Sequence, residues 1–305
     1  MKSGIAQRLR PGSFSPHYAW AIVAIASTLQ VTTSFISQAF AILIVVLREN
    51  FDWTLTGITL AYFFRSIVTA LLAPAAGWLG DRHGARGALV IAGVLYVVGM
   101  LLLSTLGRPW QLYLYYSLIL GAAQAIFTVN IPTTVASWFR DRLGLAVGLQ
   151  QSFGGMGASV MAPALALLLA TTEWQTTFWI ISAGGGVTVF LLLSRFWSDP
   201  SDRGMRPYGT NEDDAPPVAA TDAATTRLRS RVFMQHVRRT SAFWNLIVIH
   251  HLGCIGHAII MVGVVFFATT KGLSLSEAAW IISVYSLFSV VSRFSTPILA
   301  DRWGA

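Results

Sequence analysis

Two arginines sit where a charge is costly. Arg65 and Arg293 each fall inside a long apolar run, while the other Lys and Arg residues lie in the polar stretches between runs. The 13 acids, from Glu49 and Asp52 through Asp81, Asp141 and Glu173 to Glu277 and Asp301, also lie between runs or at their edges. No acid at the depth of either arginine neutralises it. A membrane-embedded arginine faces a cavity or a partner, and its planar fork suits a carboxylate. The chemistry this predicts is the binding of a small-molecule anion.

Depth separates the two. Arg293 precedes Asp301 by eight residues, roughly 12 Å along a helix. That is near the middle of a hydrocarbon core roughly 30 Å thick. Its face also carries Ser286, Ser289 and Thr296, at helical spacings of three and four. Arg293 reads as a substrate ligand or as the partner of an acid beyond residue 305. Arg65 precedes Asp81 by sixteen residues, roughly 24 Å. It reads as a ligand or outer-gate residue, or as a structural side chain or one that snorkels to the outer interface.

Other polar groups share these runs. His250, Cys254 and His257 follow one another at i, i+4 and i+7. The spacing suits metal ligands, yet two imidazoles and one thiol with no acid beside them make an incomplete set, and no metal is expected. A polar cavity face, with His250 as its hydrogen-bonding or proton-carrying member, is the stronger reading; ordinary helix packing is the other. Gln30, Ser34, Gln38, Gln124, Asn130 and Gln151 are also intramembrane. Gln38, Asn130 and Gln151 are the cavity candidates, and the alternative for each is an interhelical hydrogen bond worth about 1 kcal/mol.

The elements that hold these residues are spanning helices. The chain is 54% hydrophobic and 11% charged, against about 25% charged in soluble domains, with mean hydropathy +0.61. A spanning helix needs about 20 apolar residues, and eight runs qualify: 18–47, 55–79, 87–106, 110–137, 143–171, 174–197, 242–270 and 276–299. The fold class expected is an all-α polytopic membrane protein. The one cysteine excludes a disulfide framework.

The connectors alternate in charge. Arg48, Arg108 and Lys271 fall on one side, and all remaining connector Lys and Arg on the side of the N-terminus. Positive residues stay cytoplasmic, so the N-terminus is expected inside a cell membrane. The net charge of +8 thus reads as topology rather than as nucleic-acid binding. Residues 199–241 form the long connector. Its 211–226 stretch is rich in acid, Ala and Pro, a disordered composition. Its basic 226–240 stretch, with Leu228, Val232, Phe233 and Val237, fits an amphipathic helix on the inner leaflet or a solvated tether.

A repeat orders the whole. Gly77-Trp-Leu-Gly-Asp-Arg-His-Gly-Ala-Arg86 returns as Leu299-Ala-Asp-Arg-Trp-Gly304, with Asp81 and Asp301 separated by 220 residues. Each copy follows the second run of its set. Membrane segments repeating at bundle length mark transporter halves. The expected domains are a six-helix bundle over 1–198, a cytoplasmic loop over 199–241 and the first two helices of a second bundle over 242–305. Four further helices are expected to follow.

At 77–86 the sequence resembles the marker of the major facilitator superfamily between its second and third helices. Gly77, Leu79, Gly80, Asp81, Arg82, Gly84 and Arg86 match that pattern; Leu299, Ala300, Asp301, Arg302 and Gly304 match it again. The resemblance implies a two-bundle fold in which helices one, two, four, five, seven and eight line a central cavity. It also implies a gate in which Gly77, Asp81, Arg82, Gly84, Arg86, Asp301, Arg302 and Gly304 close the cytoplasmic side. Within the superfamily the chain looks like the monocarboxylate and oxalate/formate branch, through Trp53 after Phe51-Asp52, the 137–148 stretch from Ser137-Trp-Phe-Arg to Gly148, and Ser292-Arg-Phe-Ser-Thr-Pro-Ile-Leu-Ala-Asp-Arg302. Three features depart from related patterns. The 40–46 stretch lacks the lysine typical of monocarboxylate members, Ser289 stands where proton-coupled members have an acid, and the helix-four arginine of drug and sugar branches is missing.

The expected function is secondary transport of small organic anions by alternating access, with a proton or a counter-anion as possible driving partner. A carrier of neutral or cationic solutes, or a non-transporting sensor or partner subunit, are the competing readings. No Gly-x-Ser-x-Gly or His-Glu-x-x-His pattern occurs, so neither an enzyme nor a cofactor is expected.

Overall fold

The computed structural model describes residues 17–38, 40–210, 232 and 235–303. The side chains of Gln38, His250, Asp301 and Arg302, and the whole of Gly304, lie outside the described residues. So do the 211–226 stretch and most of the basic stretch after it.

Span one carries α1 (Tyr18–Thr33), α2 (Phe35–Gln38) and α3 (Phe40–Phe51), with an interruption after Thr33 where one continuous run was expected. The cause is local. Thr32 and Thr33 donate their hydroxyls to the carbonyls of Thr28 and Leu29, each at 2.9 Å, and Ser34 Oγ donates to Val31 O at 2.6 Å. Hydroxyls that bond back onto the preceding turn compete with the helical ladder.

Helix α4 (Leu55–Leu103) has 49 residues, about 73 Å at 1.5 Å per residue, far too long for one crossing. It turns at Gly84, whose φ of 75° and ψ of 150° are non-helical. Only glycine adopts that geometry at low cost. Spans two and three are therefore joined by a single-residue break rather than by a polar loop. Thr54 caps the start, its hydroxyl accepting from Gly57 N–H at 3.2 Å.

Span four runs through α5 (Pro109–Leu112), a π-helical segment (Tyr113–Leu120) and α6 (Gly121–Ser137). The π segment aims three hydroxyls at neighbouring backbone: Tyr113 to Gly57 O at 2.7 Å, Tyr116 to Ile36 O at 2.8 Å and Ser117 to Ala61 O at 2.7 Å. Then follow α7 (Leu143–Thr171), α8 (Trp174–Ser194), α9 (Ser241–Thr270) and α10 (Leu275–Trp303). Helix α7 keeps Pro163 within an unbroken helix. Its Gly154 and Gly157 admit α1: a Cβ there would lie 3.0 Å from Gln30 Cγ and 2.9 Å from Val31 Cα. Small residues of this kind let membrane helices approach.

Six helical stretches among the described residues are long and apolar enough to cross a membrane. Leu71, Val187, Ile249 and Phe288 are among the many large apolar side chains exposed on them. Such a coat is a liability in water and the normal outer surface in lipid.

The start of the expected long connector is ordered. A 3₁₀ turn (Pro200–Arg203) follows α8. Tyr208 then pairs with the turn after α6: its N–H donates to Trp138 O at 2.8 Å, and its carbonyl accepts from Arg140 N–H at 2.9 Å. Arg203 stacks 4.1 Å over the Tyr18 ring, and Tyr18 Oη donates to Arg195 O at 2.7 Å. Residues 195–208 thereby tie the ends of spans one, four and six together.

Candidate functional site

The polar groups gather on the seam where α7 and α10 pack, with α1 beside them. Ser159 Oγ donates to Ser283 O at 3.1 Å, and Ser152 Oγ donates to Val290 O at 3.4 Å. Gln150 is fully buried and donates to Gln30 Oε1 at 3.2 Å. Arg293 lies next along this seam. Its Nη1 donates to Gln151 O at 3.4 Å, a long, weak contact. Its side chain is exposed, and among the described residues no carboxylate pairs with it. The structure thus brings Arg293 and Gln151 together. It is the Gln151 carbonyl, which the sequence did not single out, that meets the guanidinium.

Arg65 has a different environment. It is buried, and its guanidinium carbon lies 4.6 Å from the Tyr62 ring centre and 5.6 Å from that of Tyr116. Phe40 stacks on Tyr116 at 4.7 Å. The cation is held by ring faces, while its Nε has no hydrogen-bond partner. The snorkelling geometry is not adopted. Beside this box, Phe40, Tyr116 and neighbouring apolar side chains line a cavity of about 20 Å³, room for about one water. No carboxylate fits there in this conformation. Tyr62, one turn before Arg65, was a signal in the sequence; the Tyr116 and Phe40 faces had none.

Asn130 is committed elsewhere. It is buried, and its Nδ2 donates to Ala76 O at 3.1 Å and to Ile126 O at 3.0 Å. Its Oδ1 faces Gly80, where an added Cβ would run into it. Both of its donors serve helix packing rather than a cavity.

On α9, His257 Nδ1 and Tyr285 Oη of α10 are 2.6 Å apart. The sequence pattern grouped His257 with His250 and Cys254, and its partner on the next span was not apparent.

The 77–86 stretch forms one edge. Arg86 N–H donates to Ser198 Oγ at 2.9 Å, and its side chain donates to Ser194 O at 3.4 Å. Arg82 stacks over Trp78 at 5.3 Å. Asp81 and Arg82 are exposed, and among the described residues neither pairs with an opposite charge. Gly77 lies 3.8 Å, measured from an added Cβ, from Val129.

The description of the Major Facilitator Superfamily matches residues 23–305. The chain belongs to that superfamily. Among its relatives are Monocarboxylate transporter 12-B of Danio rerio, 23% identical over 322 residues, covering 98% of this chain and 65% of that one. Monocarboxylate transporter 11 of Mus musculus is 23% identical over 287 residues, covering 93% and 60%. The chain therefore spans under two thirds of the length of these curated relatives. A crystal structure of a D-xylose-proton symporter superposes with a TM-score of 0.66 at 14% identity, covering 94% of this chain and 70% of that one. This similarity speaks for the fold: a polytopic, all-helical superfamily member.

Proposed function

We infer that this superfamily chain takes part in moving small organic anions across a membrane by alternating access, with Arg293 as the anion's main protein contact. The observation that carries the reading is the setting of Arg293: a mid-span guanidinium with one long bond to a carbonyl and, among the described residues, no carboxylate beside it. A guanidinium has five N–H donors, and a carboxylate accepts two in parallel. The names of the monocarboxylate transporter relatives support the same substrate class. Gln151 positions the Arg293 fork. Arg65, in its aromatic box, acts as a structural or gate cation. Gln38 and His250 remain cavity candidates by helix position.

The bundle layout follows the sequence reading: six helices over 1–198, a loop over 199–241, and two helices of a second bundle over 242–305. The marker edge, with Gly77, Asp81, Arg82, Gly84, Arg86 and the second copy at Asp301, Arg302 and Gly304, is the cytoplasmic gate. The positive charge of that edge supports an inside N-terminus in the cell membrane.

The test is uptake of labelled lactate, pyruvate, formate and oxalate into proteoliposomes carrying the protein. Saturable carboxylate flux that disappears in Arg293→Ala is the expected result. Flux of uncharged solutes alone would point to a sugar- or drug-type carrier, and no flux at all to a sensor or subunit.

A further inference from the structure

No acid lies at mid-span in this chain, since all 13 fall in connectors or at span edges. A proton that crosses with a substrate can be carried by a histidine, which titrates near neutrality. Three histidines, His250, His251 and His257, lie within span seven. Of these, His257 has a built environment: it is half-buried, its Nδ1 meets Tyr285 Oη at 2.6 Å, and the two rings lie 5.5 Å apart, centre to centre. Tyr285, Ser289 and Arg293 follow one another at i, i+4 and i+8 along α10, one stripe of that helix.

We propose that His257, paired with Tyr285, binds the proton whose uptake is coupled to anion binding at Arg293. The inference rests on the anion reading above.

The chemistry is simple addition. A neutral imidazole whose Nδ1 accepts the Tyr285 hydroxyl takes a proton from solution at that nitrogen. The new Nδ1–H then donates to Tyr285 Oη, and the phenol turns its own hydrogen elsewhere. Nothing else is made or broken. The coupling is electrostatic. The anion at Arg293 and the imidazolium carry opposite charge, so each binds more tightly when the other is present, and the linkage is reciprocal. Tyr285 and Arg293 are eight residues apart, roughly 12 Å along the helix. At about that distance and an effective dielectric near 20, opposite unit charges shift an equilibrium about tenfold.

The groups on neighbouring elements fit this role. From α10, Tyr285 and Arg293 face His257, while Glu277 is occupied at the first turn, accepting from Ser274 N–H at 2.8 Å and Ser274 Oγ at 2.7 Å. From α3, Arg48 lies 5.5 Å over Phe266, nine residues along α9 from His257, with Glu49 beside it in sequence. On α9 itself the titratable neighbours are His250, His251, Cys254 and, at the end, Lys271. Among the described residues no carboxylate contacts His257, and Arg293 is the charged group on α10 that acts on it.

The experiment measures uptake of labelled lactate and oxalate into proteoliposomes bearing the full chain, at pH 5.5 and pH 7.5 on both sides. In the unaltered protein KM is expected to fall about tenfold at the lower pH. In His257→Gln, KM at both values is expected to match that of the unaltered protein at pH 7.5. Should His257→Gln not fold, judged by size-exclusion chromatography, Tyr285→Phe tests the same pair, and the midpoint of its pH dependence is expected to move. Retained low-pH tightening in His257→Gln, an unmoved midpoint in Tyr285→Phe, or carboxylate flux in the unaltered protein with a pH-independent KM each overturn the coupling and leave the anion reading standing. Absence of carboxylate flux at both pH values instead overturns the anion reading, and this inference with it.

Discussion

Gly80 and Asn130 should behave as one unit, and the structure says by how much. Asn130 reaches from α6 across to α4 and donates to Ala76 O and Ile126 O. Its Oδ1 is pressed against Gly80, where an added Cβ would also lie 3.1 Å from Asn130 Cγ. The amide cannot swing clear without dropping both bonds. Gly80→Ala therefore overpacks a tight contact, at a cost of about 1–3 kcal/mol. Asn130→Ala removes one interhelical bond and one bond within its own helix. In a membrane that costs about 1 kcal/mol. It also empties the space the new methyl needs. In the double variant the penalty of Gly80→Ala should vanish, giving a coupling energy of about 1–3 kcal/mol of opposite sign.

Equilibrium unfolding of the four proteins in mixed detergent micelles, followed by circular dichroism, measures each term. Simple additivity of the two single costs would refute the contact. So would a Gly80→Ala variant as stable as the parent. Either outcome would leave Asn130 free to serve a cavity after all.

Four further outcomes follow from the same geometry. Gly84→Ala places a Cβ at positive φ, 3.1 Å from Ser198 Oγ, and should lower stability by about 1–2 kcal/mol in the same unfolding assay. Arg65→Met removes a buried cation that lies against the Tyr62 and Tyr116 rings; stability should stay level or rise, and carboxylate KM should remain within about threefold, read as unchanged ground-state binding, in contrast to Arg293→Ala. Arg293→Lys keeps the charge but loses the fork, so uptake should survive with KM raised about tenfold or more, measured in the proteoliposome assay. Asp81→Asn should insert normally yet cut transport, and normal uptake in that variant would remove Asp81 from the gate.

Much of the architecture was legible because it is written in long-range averages. Apolar runs of about 20 residues need no knowledge of neighbours, and neither does a marker that returns after 220 residues. What escaped was set by contacts between residues far apart in sequence. The Tyr18 hydroxyl meets Arg195 O across 177 residues, so the docking of 195–208 could not be read from a stretch that looked like plain connector. Asn130 looked like a cavity group because its acceptor, Ala76 O, lies on another helix. The break in span one had a local cause, three successive hydroxyl residues at Thr32, Thr33 and Ser34, but the apolar run concealed it. Gly84 was visible as part of the marker, though not as the whole of the turn.

The two buried-run arginines looked alike in the sequence, and the fold gives them unlike solvation. Arg65 exchanges water for two tyrosine faces, and each cation–π contact contributes about 0.5–2 kcal/mol with no proton acceptor needed. That arrangement leaves Nε without a hydrogen-bond partner, and it leaves no room for a guest beside a cavity of about 20 Å³. Arg293 has the reverse balance. Among the described residues no ring covers it, no carboxylate meets it, and its one hydrogen bond is 3.4 Å long. Its donors are thus unspent on the seam between α7 and α10. In alternating access the bundles move relative to one another, and a ligand that bridges them couples its own binding to that motion. An anion held by Arg293, whose guanidinium also donates across the seam to Gln151 O of α7, would do so, whereas one held by Arg65 would touch only the first bundle. Position as well as charge therefore supports the role proposed for Arg293.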